Sequence, residues 1–361
     1  MSGAMTNQPH AEEIAEDIGA RKDDHVELCA TDAVAFKART TLLEEVTLVH
    51  QSLPDVSLDE LDTSVELFGK RLRAPLLIAS MTGGTSRTGG INQALAQLAE
   101  ERGYGFGLGS QRAMQKRPES AASFRVRDVA PTALVLGNLG VVQARDQSTA
   151  DVRALIDAVG ADALFLHMNP AQELIQPGGD RDFRGGIATF ARLVRELGVP
   201  VVAKETGCGV SREVARRLAE VGVRHVDVSG AGGTSWGGVE TLRAEGETAA
   251  LGNLLWDWGI PTAASVAMVA GEGLIPIATG GIKTGLDVAR AIALGAHAAA
   301  VARPVLQAFL DGGRPAAEKL LDRLERELRA VMLLTGSRQL RDLRASPRIL
   351  GPTLRAWLEP R

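Results

Sequence analysis

From Pro75 onward the chain alternates short, almost wholly apolar runs with longer stretches in which apolar residues recur at spacings of three and four. The runs are PLLIAS (75–80), YGFGLGS (104–110), ALVLGN (133–138), ALFLHM (163–168), PVVAKE (200–205), HVDVSG (225–230), PIATGG (276–281) and AAAVAR (298–303). Being nearly continuous in apolar character, they predict strands covered on both faces, as in parallel sheets. Between them INQALAQLAEE (91–101), ADVRALIDAVG (150–160), IATFARLVRELG (187–198), SREVARRLAEVG (211–222) and GLDVARAIALG (285–295) carry an apolar stripe with a glycine at or near the end, the pattern of helices. Eight strands alternating with helices fit a closed (β/α)8 TIM barrel better than an open doubly wound sheet. No strand is followed by Gly-x-Gly-x-x-Gly; the glycines at 103, 105, 107 and 109 alternate within a strand instead.

The flanks add two elements. Residues 1–20 are polar and acidic without a periodic apolar face, which predicts a mobile tail. Residues 21–74 form an extension that packs on the barrel with no clean linker, so 21–361 is expected to be a single domain. After the barrel, residues 315–336 place Leu320, Leu321, Leu324, Leu328 and Val331 on one helix face and an i, i+4 pair of Glu325 and Arg329 on the other. That helix is a cap or an oligomer contact.

Composition narrows the partners. Forty Lys and Arg against 44 Asp and Glu give a net charge of −4, and only 4% of residues are aromatic, which argues against nucleic acid. Two cysteines, Cys29 and Cys208, make neither a disulfide framework nor a zinc site, so a reducing, cytoplasmic location is expected. The most apolar late run, Ala291 to Ala302, is interrupted by His297 and is too short to span a bilayer.

Active sites of such barrels lie at the carboxyl ends of the strands, and here those ends are crowded with polar residues. They carry Ser80-Met81-Thr82-Gly83-Gly84, Ser110-Gln111-Arg112, Asn138, the group His167, Asn169, Gln172 and Glu173, Lys204-Glu205, Ser229 to Thr234, Thr279-Gly280-Gly281 and Ala302-Arg303. One such residue is more simply a cap; a whole ring has no structural use in a barrel filled by apolar side chains and reads as functional. Lys204 follows Val-Val-Ala and should point into the mouth, where a buried ammonium needs an anion, whether a ligand or Glu205 or Glu173. Gly280 and Gly281, backed by a helix starting near Thr284, form the phosphate site usual after the last strands, and Gly230 to Thr234 adds a second amide-rich loop. A phosphorylated cofactor beside such a lysine points to flavin mononucleotide (FMN).

Taken together, these motifs resemble the type 2 isopentenyl-diphosphate isomerases from Arg21 to the end of the chain. The stretches that carry the resemblance are RKDDH (21–25), ASMTGG (79–84), GSQR (109–112), GNLG (137–140), HMNPAQE (167–173), KETGCG (204–209), DVSGAGGTSW (227–236), WGIPTAAS (258–265) and ATGGI (278–282). The resemblance implies an FMN- and Mg2+-dependent enzyme of isoprenoid biosynthesis that interconverts isopentenyl and dimethylallyl diphosphate. NADPH, or NADH, would serve only to reduce the flavin, and the protein would be a homo-oligomer, tetramer or octamer. Carried onto this chain, FMN would meet Met81, Thr82, Gly83, Ser110, Asn138, Lys204, Thr234, Gly280, Gly281, Val301 and Ala302. The diphosphate would meet Arg21, Lys22 and Arg112, with His167 and Asn169 nearby. Gln172 would lie beside the hydrocarbon, and Glu173 would hold Mg2+ with the diphosphate.

The chemistry supports these roles. Moving the double bond takes one allylic proton away and adds another, and an alkene is too weakly basic for ordinary side-chain acids, so a reduced flavin nitrogen is the expected shuttle. Gln172, His167 and Lys204 are the residues expected to assist it. The chain departs from the family at Asp24, where Glu is usual, and at Pro177-Gly178-Gly179-Asp180, where Pro-Glu-Gly-Asp is usual. Two rival readings are an FMN-dependent hydroxy-acid oxidase or dehydrogenase, and a non-catalytic flavin- or phosphate-binding barrel. The first requires a His base and an Arg pair at the late strand ends; the second leaves Arg21, Lys22, Gln172 and Glu173 unexplained.

Overall fold

Eight parallel strands close into a barrel in a computed structural model that describes residues 20–359. In chain order they are Leu76–Ile78, Gly105–Gly107, Leu134–Gly140, Ala163–Met168, Val201–Glu205, His225–Asp227, Ile275–Thr279 and Ala298–Val301. Each neighbours the next, and the eighth pairs with the first, with Ala299 opposite Leu76. Six lie within the expected runs; the third continues two residues past its run, to Gly140, and the seventh begins one residue before its run, at Ile275. The sixth and seventh stop early because the chain turns sharply there: Ser229 takes φ +35° and Gly280 φ +102°, which no strand continues. The expected tail falls almost wholly on residues 1–19, outside the described residues.

Helices Ser86–Arg102, Thr149–Val159, Gly186–Glu196, Arg212–Glu220 and Gly285–Ala293 cover the barrel as the apolar stripes require. Between the sixth and seventh strands the chain inserts Trp236–Thr241 and Gly246–Leu254, after which Thr262–Gly271 packs against the seventh strand and helix Arg212–Glu220 as part of the outer ring. The last long helix, Arg303–Leu334, is broken at Gly312 and Gly313, and its second half buries Leu321, Leu324 and Leu328 on the barrel. Glu325 does not pair with Arg329. It is buried, accepting from Tyr104 Oη at 2.6 Å and Arg73 Nη2 at 3.3 Å, while Arg329 donates to the Leu61 carbonyl. Tertiary partners of higher complementarity override the local i, i+4 spacing.

The extension is used at both ends of the barrel. A hairpin, Val65–Leu67 with Lys70–Leu72, covers the amino-terminal mouth, where His297 Nε2 donates to the Glu66 carbonyl at 3.1 Å and the Phe68 ring meets His225 at 4.6 Å. Strand Val46–Leu48 pairs antiparallel with Arg348–Leu350, joining the extension to the chain's far end. The helix over residues 20–29 crosses the carboxyl-terminal mouth, fastened by Asp23 to Thr85 Oγ1, Asp24 to Arg243 and Glu27 to Arg87. Buried apolar side chains run as one core from Val26 to Leu354.

Burial, helped by His297 and Arg224, pushes His225 down to about 4 from an ordinary 6.5, and burial lowers His297 as well. As pH falls from 6.5 towards 4 the unfolded chain binds protons that the fold refuses, so stability is lost through that window. The thermal midpoint should therefore drop across it, and His225→Gln should flatten the slope; parallel slopes for the two proteins would exclude this origin.

Candidate active site

A cleft of about 430 Å³ opens at the carboxyl ends of the strands, beneath the helix over residues 20–29. Met81, Thr82, Ser110, Arg112, Asn138, His167, Asn169, Gln172, Glu173, Lys204, Thr234, Gly280, Gly281 and Ala302 line it, and Arg21 and Lys22 reach it from above. Two expected residues do not. Gly83 faces Phe124, whose ring would stand 2.2 Å from any Cβ there, and Val301 is 1% exposed within the barrel wall. Gly83 is a packing glycine; Val301 belongs to the core.

One end of the cleft is built of backbone. A Cβ on Gly280 would lie 2.1 Å from the Gly230 carbonyl, and one on Gly233 would lie 2.3 Å from the Gly281 nitrogen. Only glycine lets these two loops touch. The helix Gly285–Ala293 does not back the phosphate position as expected, because Asp287 takes the amides of Lys283 and Thr284, and Glu327 takes that of Gly285. Helix Arg303–Leu334 opens at the cleft instead, with Ala302 as an N-cap that makes no side-chain bond; Pro304 has no N–H and the amides of Val305 and Leu306 donate to the Ala302 carbonyl, so of its first turn the Arg303 amide is the one left for a ligand. In the same wall the hydroxyls of Ser80, Thr82 and Thr279 are buried with no protein partner. Buried hydroxyls need an acceptor or donor, so this wall fits a polar, phosphorylated ligand.

The middle of the cleft carries Lys204 and His167. Lys204 Nζ donates to Asp227 Oδ2 at 3.1 Å and to the Glu205 carbonyl at 3.2 Å. Its carboxylate partner is thus Asp227, not Glu205 or Glu173. The Glu205 carboxylate accepts the amides of Thr206, Gly207 and Cys208, yet burial lifts it to about 7. Asn138 Nδ2 donates to the Leu108 carbonyl, which turns Asn138 Oδ1 towards His167 Nδ1 at 2.8 Å. That bond assigns the proton to Nδ1. Burial, with Lys204, Lys22 and Arg112 nearby, pushes His167 down to about 3, so it is neutral and offers Nε2 as an acceptor.

The far end is cationic. Burial beside Arg21 lowers Lys22 to about 8, and Arg112 lies 3.5 Å from Asp180. Glu173, 6% exposed, accepts from Asn169 Nδ2 at 3.0 Å and from the Asp180 amide at 2.8 Å. Asn169 also donates to Gln172 Oε1 at 3.3 Å, and Gln172 Nε2 donates to Glu240 Oε1 at 3.2 Å. Glu240, wholly buried, further accepts from His25 Nε2 at 3.0 Å and Arg243 at 2.9 Å. Desolvation works against its charge, but these donors hold it well below the usual carboxylate range. His25 is lowered by burial despite that bond, and its ring packs edge-on against Trp236 at 5.2 Å. Gly178 has no atom within 4 Å of a Cβ and takes φ +64°, so the acid usual there has open space but a backbone conformation that favours glycine.

Sequence reasoning missed His25, Trp236 and Glu240. A signal existed: His25 stands four residues after Arg21, and Glu240 four after Trp236, each a same-face helical pair. It missed Asp227 too, because an acid inside a strand reads as interior filler until its neighbour strand is known.

A family profile described as FMN-dependent dehydrogenase matches residues 15–170 and 166–349. A protein described as a lactate oxidase from Pediococcus acidilactici superposes with TM-score 0.66 at 17% identity, covering 97% of this chain and 96% of its own. A mandelate oxidase variant with an FMN monooxide adduct gives TM-score 0.63 at 23% identity, covering 95% and 100%. Fold and cleft therefore define a barrel of the FMN-dependent dehydrogenase class. Among curated proteins, isopentenyl-diphosphate delta-isomerases from Methanosarcina mazei (46% identity, 94% of each chain), Methanosarcina barkeri (47%, 91% of this chain and 90% of its own) and Thermococcus onnurineus (43%, 94% of each) are similar. The chain belongs to the isopentenyl-diphosphate delta-isomerase family. No helix among the described residues is long and apolar enough to cross a membrane.

Removing the Glu240 carboxylate leaves three donors facing each other without an acceptor. Glu240→Ala should cost about 3 kcal/mol of stability, and Glu240→Gln less, read by urea unfolding; a cost under about 1 kcal/mol would mean that the cluster is solvated.

Proposed function

We propose that this chain isomerises isopentenyl diphosphate to dimethylallyl diphosphate, using FMN, Mg2+ and a flavin reductant, NADPH. The observation that carries the reading is the juxtaposition in one cleft of a glycine-built end with unpartnered hydroxyls and an opposite end of Arg21, Lys22 and Arg112 beside Gln172 and Glu173. Relatives named for this reaction, 42–47% identical, support it. The oxidase reading lacks its arginine pair: Arg303 is the late arginine in the cleft wall that is buried, and it is turned to Asp32 and the Thr31 carbonyl.

Met81, Thr82, Ser110, Asn138, Thr234, Gly280, Gly281 and Ala302 would hold FMN, with Ser80 and Thr279 completing the hydroxyl wall. Reduced FMN supplies the proton donor and acceptor that an alkene needs. Lys204 keeps a fixed positive charge in the wall between the two ends of the cleft. Arg21, Lys22 and Arg112 neutralise the diphosphate, whose charge in turn favours the ammonium form of Lys22. His167 binds as a neutral acceptor, not as a cation. Gln172, held at both ends of its amide by Asn169 and Glu240, is positioned to orient the hydrocarbon.

No cluster of three His, Cys, Asp or Glu suited to a metal exists among the described residues. One carboxylate is enough for Mg2+ when substrate phosphates complete the shell, and Glu173 is oriented for it by Asn169 and the Asp180 amide. We read residues 21–361 as one FMN-binding domain, in the cytoplasm, where Cys29 and Cys208 remain free thiols. Exposed Leu254 and Trp258 are the surface that a homo-oligomer would cover.

An anaerobic NMR assay with FMN, Mg2+, NADPH and isopentenyl diphosphate, omitting each in turn, tests the reading: the dimethylallyl methyl signals should appear only with reduced flavin and metal. Gln172→Ala should lower kcat about 100-fold; full activity would remove its role. Because Lys22 loses its proton near pH 8 in the free protein, kcat/KM should fall above that pH. Lys22→Arg should move the alkaline limb upward, and an unmoved limb would assign it to another group.

A further inference from the structure

Lys204 is the last residue but one of the fifth strand, and Asp227, the last of the sixth, sits opposite it in the sheet register. The ammonium donates to Asp227 Oδ2 and the Glu205 carbonyl, which leaves one of its three N–H groups for the cleft. Asp227 is 1% exposed and is not part of the cleft lining. Its second oxygen, Oδ1, accepts the Ser229 amide at 3.2 Å, and Ser229 is a non-glycine residue held at φ +35° on the cleft wall. A single buried carboxylate therefore aims the ammonium and pins the strained turn from which the Gly230–Thr234 loop departs.

Its charge matters as much as its geometry. Lysine alone would present a full positive charge to any ring laid along this wall; with a carboxylate 3.1 Å behind it, the pair is near neutral as seen from the cleft. In a poorly solvated site that difference is large. Resting on the proposal that FMN occupies this wall, we infer that Asp227 is a positioning residue that sets the reduction potential of the bound flavin through Lys204. It holds the potential lower than the lysine alone would set it, because compensating the ammonium withdraws stabilisation from the electron-rich reduced ring.

The test is the two-electron midpoint potential of FMN-loaded protein, measured against a reference dye, for wild type, Asp227→Asn, Lys204→Met and the double variant. Asp227→Asn keeps the side-chain shape and removes the compensating charge, so its midpoint should shift upward; Lys204→Met should shift it downward. In the Lys204→Met background, where no ammonium is left to aim or compensate, adding Asp227→Asn should shift the midpoint by less than it does in wild type. An unchanged midpoint in folded, FMN-bound Asp227→Asn, or an equal shift with and without Lys204, overturns the proposal. Should Asp227→Asn fail to fold, Asp227→Ser, which also removes the charge and keeps a hydroxyl oxygen to accept the Ser229 amide, is read in its place by the same two criteria. Wild type that binds no FMN would instead defeat the reading of the site, and shows first as the lack of a flavin spectrum.

Discussion

The mouth of this barrel is governed by the cost of gathering like charge away from water. Arg21, Lys22, Arg112 and Lys204 face one cleft. Each buried cation needs compensation or it gives up its proton, and Lys22 shows the beginning of that response. Compensation comes from acids on separate elements: Asp180 for Arg112, Asp227 for Lys204, Glu240 through His25 and Arg243 for the helix that carries Arg21. Such pairs add little net stability, but losing one partner is expensive, which fixes the geometry of the whole mouth.

Neutrality is achieved unevenly, and the unevenness divides the cleft. Around His167 burial first, and the nearby cations second, keep the imidazole neutral, and its tautomer is dictated by Asn138. Around Glu240 the donors converge on one carboxylate and lock Gln172 beside it. At the glycine end Lys283, Arg303 and Arg323 also line the cleft, while backbone contacts between Gly230–Gly233 and Gly280–Gly281 do the shaping. The two ends thus differ in construction: charged side chains converge from several elements at one, and two glycine loops touch at the other.

Much of this was legible in the chain. Strands with no in–out alternation admit few architectures, so each of the eight barrel strands coincides with an apolar run to within two residues, and polar residues at their ends marked the cleft. Three things were not legible. Gly83 and Val301 lie next to lining residues in sequence but turn away, Gly83 against Phe124 and Val301 into the wall, and spacing does not encode such a turn. The partner of Lys204 depends on which strands are neighbours in the closed sheet, a property of topology. His25 and Glu240 meet across 215 positions, and nothing local to either announces the other.

The ribbon between Val46–Leu48 and Arg348–Leu350 gives the cationic end of the cleft a dependence on distant sequence. Glu45 accepts the amide of Leu354 across 309 positions, a brace on the extension beyond the bonds that the helix over residues 20–29 makes to Thr85, Arg87 and Arg243. No described residue beyond Arg323 lines the cleft. A substitution in the segment around Leu350 therefore acts on Arg21 and Lys22 at a distance, by slackening the brace of the extension that carries them rather than by altering any contact within the cleft.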